Sequence, residues 1–179
     1  MILITGFKPF YSNKINPSEE VVERLNTDDI YKVVLPVTYS SSCKIVNEIL
    51  EKNNFSFILS FGLAQKRKTI TLERYAKNEE GASIKDEDGE LITKRKINEN
   101  KDNRYETKVN LTTLNTLLNS NNIPCAISED AGAFICNKVY FNGLSSSYNS
   151  LFVHLPEISE DFTLDMMLKA TEIILDFIN

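Results

Sequence analysis

The stretch Met1-Ile2-Leu3-Ile4-Thr5-Gly6 is the strongest indicator of the fold. A short apolar run that ends at a glycine is typical of a strand buried on both faces, as in a parallel sheet. The next motif, Asn16-Pro17-Ser18-Glu19, predicts the start of a helix. Asn can cap a helix, Pro fits its first position, and Glu19 completes a capping box. We therefore predict a strand followed by a helix that ends near Leu25.

The same alternation of strands and helices continues along the chain. Further strands are predicted at 33–37, 55–61, 70–72, 124–128 and 151–155, and further helices after Ser40–Ser42 and at 108–119, 133–144 and 163–178. Strands that alternate with helices favour an α/β fold with a mostly parallel central sheet. The length predicts a single domain over residues 1–179.

Residues 77–108 differ from the rest of the chain. This window of 32 residues contains 17 charged and six clearly apolar side chains, so its composition leaves little area to bury. One interpretation is a solvated excursion from the domain. The other is a mobile cover over a site, because long irregular segments of compact domains often act as lids. Under both interpretations we expect this segment to be the least ordered part of the chain.

Composition and charge argue against several classes of function. The chain has 20 basic and 25 acidic residues and no basic patch, which argues against nucleic acids and anionic membranes as partners. No apolar run reaches the roughly 20 residues of a membrane span, and the N-terminus lacks the pattern of a signal peptide. One histidine and three cysteines without a CxxC pair argue against a zinc site. Free thiols predict a reducing, cytoplasmic location.

Two residues are candidates for chemistry. His154 is the only histidine, the residue type that most readily exchanges protons near neutral pH, and the alternative is a satisfied core residue in a buried strand. Cys136 follows Gly132 and falls in the first turn of a predicted helix, where unpaired N–H groups and the helix dipole favour a thiolate. Cys43 and Cys125 lack this setting. The pattern is equally consistent with Cys136 as a small core residue.

Glu73 follows a predicted strand and is a candidate partner for the imidazole. In a site built from a cysteine, a histidine and an acid, the acid fixes the tautomer of the imidazole and the imidazole takes the thiol proton. The thiolate then attacks a carbonyl group. The alternative for Glu73 is a solvated surface residue. All three candidates fall at predicted ends of strands or helices, where α/β sheets place their sites.

Four stretches spread over almost the whole chain carry a resemblance to a known family. They are Thr5-Gly6-Phe7-Lys8-Pro9-Phe10 with Asn16-Pro17-Ser18; Leu35-Pro36-Val37; Gly62-Leu63-Ala64 with Arg67 and Ile70 to Asn78; and Asp130-Ala131-Gly132 with Ile135-Cys136-Asn137 and Val153-His154-Leu155-Pro156. Each fragment is weak alone, but their order makes the set highly specific. With these motifs the chain resembles the pyroglutamyl peptidases of the cysteine type.

This resemblance implies a fold and a reaction. The fold is a three-layer α/β/α domain with a central mixed, mostly parallel sheet, similar to that of the purine nucleoside phosphorylases. The reaction is removal of an N-terminal pyroglutamyl residue from peptides through a thioester acyl-enzyme. The resemblance implies Cys136 as the nucleophile, His154 as the base and Glu73 as the acid that orients it. It also implies that Phe7 and Phe10 sandwich the lactam ring, a role for which core packing is the alternative.

Other features follow from the resemblance. Ile135 is implied to line the substrate pocket, and Arg67, Arg74, Asn16 and Asn137 are implied as supporting residues. The family uses no metal and no organic cofactor. Many of its members are homotetramers, so we expect a homo-oligomer.

Several positions depart from the family pattern. Tyr11-Ser12 stands where the family has Gly-Gly, Lys66 where it has Gly, and Leu63 where some members carry Gln. The span of 18 residues from the implied nucleophile to the implied base is shorter than expected. Two alternatives therefore stay open: a homologue that binds a lactam or a peptide N-terminus without cleavage, and another cysteine amidase with a changed pocket. A nucleoside phosphorylase is an alternative at the level of the fold only.

Overall fold

A computed structural model describes residues 1–179 and contains eight strands and five helices. The strands are β1 (Ile2–Phe7), β2 (Ile30–Leu35), β3 (Phe57–Leu63), β4 (Ile70–Glu73), β5 (Tyr75–Lys77), β6 (Arg104–Glu106), β7 (Cys125–Ser128) and β8 (Ser150–Leu155). The helices are α1 (Pro17–Arg24), α2 (Ser42–Lys52), α3 (Leu111–Ser120), α4 (Ile135–Ser145) and α5 (Leu164–Ile178). None of these helices has the length and apolar character needed to cross a membrane.

Six strands form one mixed sheet in the order β2-β1-β3-β8-β4-β7. Strands β2, β1, β3 and β8 are parallel to one another. Strand β4 pairs with β8 in the antiparallel direction, and β7 runs parallel to β4. Strands β5 and β6 form a separate two-stranded ribbon. The last strand of the chain, β8, therefore lies inside the sheet and joins its two halves.

Helices cover both faces of the sheet, as the apolar pattern requires. On one face α1, α3 and α5 bury side chains such as Val21, Leu114 and Met167 in one hydrophobic cluster. On the other face α2 and α4 contribute to a second cluster, with Val46 and Tyr140 among its members. The predicted three-layer α/β/α architecture with a mixed, mostly parallel sheet is confirmed.

Side-chain caps decide where two of the helices begin. Asn16 caps α1 as predicted, because its Oδ1 accepts the backbone N–H of Ser18 at 3.0 Å. Helix α3 begins at Leu111 rather than at residue 108, because Asn110 caps it. Helix α4 begins at Ile135, two residues later than predicted.

The charged segment 77–108 is packed more closely than its composition predicts. Asn78, Glu80, Asp86 and Ile92 are buried. The buried polar groups have partners within the domain: Asp86 Oδ2 accepts the backbone N–H of Tyr39 at 2.9 Å, for example. A count of charged residues misses this burial, because charges that are paired can be enclosed.

Ion pairs hold the same segment against α4. Glu80 Oε1 lies 2.8 Å from Nη2 of Arg95, and its Oε2 lies 2.7 Å from Nζ of Lys138. Exposed residues are concentrated at 87–91, 93–96 and 98–104. The mobility of this segment stays a prediction, and we expect it mainly in these three exposed stretches.

Candidate active site

His154 and Glu73 are joined by a hydrogen bond across the antiparallel pair of β8 and β4. Glu73 is in register with Phe152, so His154 lies two residues further along β8 on the same face of the sheet. This diagonal relation brings Nδ1 of His154 to 2.7 Å from Oε1 of Glu73. A carboxylate only accepts hydrogen bonds, so Nδ1 carries the proton and Nε2 is left to accept one. The pair can therefore act as a base.

Gly62 brings the sulfur of Cys136 close to this pair. Gly62 and His154 are register partners in the parallel strands β3 and β8. A β carbon on Gly62 would lie 2.8 Å from Sγ of Cys136 and 2.9 Å from the ring of Phe152. The sulfur thus occupies the space that a side chain on β3 would need. Cys136 therefore lies near the pair of His154 and Glu73, and the catalytic roles of the three residues stay a prediction.

Arg67 contacts the carboxylate of Glu73 as well. Its Nη1 donates to Oε1 of Glu73 and to Oγ1 of Thr71, and its Nη2 donates to the backbone carbonyl of Asp130 at 2.9 Å. Burial alone would raise the pKa of Glu73. The hydrogen bond with His154, the charge that His154 carries when it is protonated, the nearby hydroxyl of Ser128 and the charge of Arg67 hold this pKa below its usual range instead. Glu73 is therefore ionised at neutral pH although it is fully buried.

The second carboxylate oxygen of Glu73, Oε2, is buried without a hydrogen-bond partner. Ser128 is the register partner of Glu73 on β7 and lies close enough to lower the pKa of Glu73, while its hydroxyl donates to the backbone carbonyl of Asp130 at 3.1 Å. The backbone of Glu73 is held separately, because the hydroxyl of Tyr140 donates to its carbonyl at 2.9 Å. Helix α4 therefore fixes the position of the acid as well as carrying the cysteine.

Burial raises the pKa of the Cys136 thiol to about 12, and the charge of Glu73 acts in the same direction. Its own backbone N–H and the charge of Arg67 lower the pKa, but less. The start of the helix favours a thiolate, yet burial outweighs this effect, and the resting sulfur is a protonated thiol at neutral pH. Burial also raises the pKa of Cys43 and of Cys125 to about 12. Position beside a base, rather than acidity, distinguishes Cys136 from the other two cysteines.

Helix α4, which begins one residue before the cysteine, has no side-chain cap. Phe134 occupies the cap position, and Cys136 is the second helical residue. The first N–H groups of a helix have no partner within the helix, and Phe134 offers no side-chain acceptor for them. Together with the positive end of the helix dipole, such N–H groups stabilise negative charge on an oxygen. The site therefore combines a thiol, a base and a region suited to an oxyanion.

A small cavity of about 40 Å³ opens beside the sulfur. Its lining is almost entirely apolar and comprises Phe7, Phe10, Asn16, Val37, Leu63, Phe134, Ile135 and Cys136. The ring centroids of Phe10 and Phe134 are 5.5 Å apart, and Tyr39 packs edge-on against Phe134 at 5.6 Å. An apolar pocket with aromatic walls suits a small, flat, uncharged group.

A family model described as pyroglutamyl peptidase matches residues 1–177. The chain belongs to the pyroglutamyl peptidase family. Relatives in this family include the pyrrolidone-carboxylate peptidase of Brachyspira hyodysenteriae, which is 34% identical over 97% of this chain and 96% of its own. The pyrrolidone-carboxylate peptidase of Fusobacterium nucleatum is 31% identical over 99% of this chain and 92% of its own.

Solved structures agree with this assignment. The crystal structure of pyrrolidone carboxyl peptidase from Fervidobacterium islandicum AW-1 superposes with a TM-score of 0.90 at 31% identity, covering 98% of this chain and 96% of that one. As a member of the pyroglutamyl peptidase family, the chain is a hydrolase of the cysteine-peptidase class. The sequence-based predictions of family, enzyme class and fold are confirmed.

The predicted supporting residues of this pyroglutamyl peptidase make different kinds of contact. Asn137 is fully buried and ties α4 to β5, since its Oδ1 accepts the N–H of Lys77 at 2.8 Å and its Nδ2 donates to the carbonyl of Lys77 at 2.9 Å. Asn16 lines the cavity, but its Nδ2 donates to the backbone carbonyl of Lys8 at 3.0 Å. The structure does not place the side chain of Arg74 against Cys136, His154 or Glu73.

The guanidinium of Arg74 pairs instead with two carboxylates on the surface. Its Nη1 lies 3.3 Å from Oε1 of Glu106, and its Nε lies 2.8 Å from Oε1 of Glu129. These contacts differ from those expected of a residue that supports the site, and the supporting role of Arg74 stays a prediction. Arg74 follows the last residue of β4, and its side chain is partly exposed whereas that of Glu73 is buried.

Sequence reasoning missed Phe134, Val37 and Gly62 as parts of the site. Phe134 lies two residues before the cysteine and directly precedes Ile135, which was predicted to line the pocket. An aromatic residue at this position could have been predicted to line the pocket as well. Val37 and Gly62 stand in two of the stretches that carry the resemblance, but no local signal gives them a role in the site, because they matter there only through the packing of the fold. No three His, Cys, Asp or Glu side chains lie close enough together to hold a metal ion.

Proposed function

We propose that this member of the family hydrolyses the bond after an N-terminal pyroglutamyl residue of a peptide. Cys136 is the nucleophile, His154 the general base and Glu73 the acid that orients it. One observation carries the assignment: His154 has Glu73 at 2.7 Å on Nδ1, and the sulfur lies over its register partner Gly62. A base held on one nitrogen and placed beside a thiol is the arrangement that cysteine acyl transfer needs.

The reaction begins with a proton transfer, because the resting sulfur is a thiol. Nε2 of His154 takes the proton from Sγ of Cys136 as the sulfur attacks the pyroglutamyl carbonyl carbon. The uncapped N–H groups at the start of α4 stabilise the oxyanion. The imidazolium, stabilised by Glu73, then gives its proton to the departing amine, and a thioester remains. Water, deprotonated by His154, hydrolyses the thioester and restores the thiol.

The apolar cavity supports pyroglutamate as the group that binds beside the sulfur. The lactam is neutral and flat, and Phe7, Phe10 and Ile135 offer apolar faces to it. The free space corresponds to about three water molecules, less than a five-membered ring with its oxygen needs. Phe10 is only half-buried, so we expect its ring to turn outward when the lactam enters. Entry of the ring then displaces water and closes the site around the sulfur.

We propose further that the enzyme works in the cytoplasm as a homo-oligomer, a tetramer by resemblance to its family. Support for a reducing compartment comes from three cysteines that are all free. Support for a subunit contact comes from Ile15 and Ile158, large apolar side chains that are 58% and 40% exposed. They line one shared concavity, as an interface between copies would use.

An assay with two amides tests the proposed function. The chain should release a chromogenic amine from a pyroglutamyl amide and leave the corresponding prolyl amide intact. The two rings have the same size, but the prolyl amine is charged and an apolar pocket excludes it. Binding of the pyroglutamyl amide without release would favour a non-catalytic binding protein. Cleavage of other amides in its place would favour a cysteine amidase with a changed pocket.

A further inference from the structure

Arg67 connects parts of the site that are far apart in the chain. It lies between β3 and β4, and its guanidinium donates to Glu73 and Thr71 on β4. A bond of 2.9 Å reaches the backbone carbonyl of Asp130, in the loop that leads to Cys136. A planar guanidinium holds several acceptors in fixed directions, which a lysine cannot do. One side chain therefore links the acid to the segment that carries the nucleophile.

The charges of the four groups balance in both states of the proposed proton transfer. In the proposed mechanism the proton moves from a neutral thiol to a neutral imidazole, and before this transfer the charges of Arg67 and Glu73 cancel. After the proton moves from Sγ to Nε2, Cys136 is negative and His154 is positive, so the sum is again zero. Without Arg67 the buried site would carry a net negative charge in both states. The charge of Glu73 would then oppose formation of the thiolate without compensation.

We propose that Arg67 is a positioning residue of this reaction: it holds the carboxylate of Glu73 against His154 and balances its charge when the Cys136 thiolate forms. The inference rests on the proposed function and adds to it a residue that lines no part of the substrate cavity. Substitution of Arg67 should therefore lower kcat and leave KM nearly unchanged.

The other charges around this cluster are already paired. Asp130, whose carbonyl accepts from Arg67, places its carboxylate 2.6 Å from Nζ of Lys77. Burial opposes ionisation of Asp130, but Lys77, a backbone N–H and Arg67 together lower its pKa, so it stays negative and paired. The charges that act on the Cys136 thiol are those of Glu73 and Arg67. The electrostatic effect of nearby charges on the thiol is therefore determined by these two residues.

Three substitutions test the proposal, in a background with Cys43→Ser and Cys125→Ser so that only Cys136 is alkylated. Arg67→Gln removes the charge, and Arg67→Lys keeps the charge but loses the planar fork. Arg24→Gln removes the same charge from an exposed position on α1 and is the matched control. The readouts are the pH profile of iodoacetamide alkylation, and kcat and KM for a pyroglutamyl amide.

In Arg67→Gln the midpoint of the alkylation profile should rise on the order of one pH unit, and kcat should fall about tenfold or more with KM nearly unchanged. Arg67→Lys should keep a midpoint near that of the wild type while kcat falls. Arg24→Gln should match the wild type in both measurements.

A wild-type alkylation midpoint in folded Arg67→Gln would overturn the charge role. Wild-type kcat in Arg67→Lys would overturn the positioning role, and this variant decides the matter if Arg67→Gln does not fold. Alkylation needs no pyroglutamyl substrate. Failure of the wild type to hydrolyse the amide would therefore refute the proposed function, while a shifted profile in Arg67→Gln would still support the link to Cys136.

Discussion

Gly62 and Cys136 are in such close contact that no other residue fits at position 62 without moving the sulfur. A β carbon there would stand 2.8 Å from Sγ. A β carbon does not approach a non-bonded sulfur this closely, so the cysteine or β3 would have to shift. The glycine is thus required by the approach of a side chain to a strand and not by a turn.

Gly62→Ala should therefore lower kcat/KM about tenfold or more and destabilise the fold by about 1–3 kcal/mol, since overpacking forces the sulfur out of line with His154. Steady-state assays and urea unfolding measure the two effects. Gly143→Ala is the control, because its new β carbon would lie 3.3 Å from Oγ of Ser150 inside a helix that prefers alanine. Wild-type activity in Gly62→Ala would show that the contact is not needed for catalysis.

Cys136→Ser should abolish hydrolysis of a pyroglutamyl amide and leave the thermal unfolding temperature within a few degrees of the wild type. The hydroxyl has nearly the same size but is a far weaker nucleophile. Cys43→Ser and Cys125→Ser should keep most of the activity, because neither sulfur lies beside a base. Iodoacetamide should inactivate through Cys136, and a pyroglutamyl ligand should slow the labelling. Substantial activity in Cys136→Ser would refute the cysteine mechanism.

His154→Ala should lower kcat by at least about 10²-fold, the typical loss of a general base. Glu73→Gln should cost less, because Glu73 orients the imidazole and does not take the proton itself. Rate profiles against pH for both variants measure these effects. A larger loss in Glu73→Gln than in His154→Ala would contradict the assigned roles.

Glu73 should also make stability depend on pH in the acid range. Its pKa is held below the usual range in the folded protein, so on acidification the unfolded chain binds the proton first, below about pH 4.3. Its contribution to the free energy of unfolding is present above that pH and is lost as the pH falls toward the folded pKa. Glu73→Gln should be less stable at pH 7 and should lose less stability on acidification. Urea midpoints from pH 7 to pH 3 measure the slope, and the exposed Glu172→Gln should keep the wild-type slope.

Limited trypsin digestion should cut first within the exposed parts of 77–108, after Lys94 or Lys96. Few apolar contacts hold these stretches, so local opening costs little free energy. Lys138→Met should speed the cleavage, because it removes a partner of the buried Glu80. Lys44→Met, on the exposed side of α2, should not. First cuts in the helices would contradict the predicted mobility.

Local signals predicted those parts of the site that depend on neighbours in the chain. Asn16 as a cap and Cys136 in the first turn of α4 needed only short motifs. The direction of β4 was not predictable in this way, because alternation of strands and helices carries no signal for one reversed strand. Glu73 reaches His154 through that reversal, diagonally across an antiparallel pair, and not from the shared carboxyl edge of parallel strands.

Ion pairs between residues far apart in the chain explain the other differences between the sequence-based expectations and the structure. The composition of 77–108 predicted solvation, whereas Glu80 is enclosed because Lys138, 58 residues later in the chain, is its partner. Arg74 fits the family motif, yet it lies just past the end of β4 and its guanidinium pairs with Glu129. Such partners are visible only once the chain has folded.

The central position of β8 has a consequence for the order in which a newly made chain can become active. The strands β2-β1-β3 and β4-β7 have no pairing with each other until β8 is inserted between them. At about 5–20 residues per second, translation of the stretch from Glu73 to His154 takes roughly 4–16 s. During this time Glu73 has been synthesised but His154, its hydrogen-bond partner, has not. The strand that completes the sheet also delivers the base. A nascent or truncated chain therefore exposes a thiol but no working peptidase, and proteolytic capacity appears only when the domain is whole.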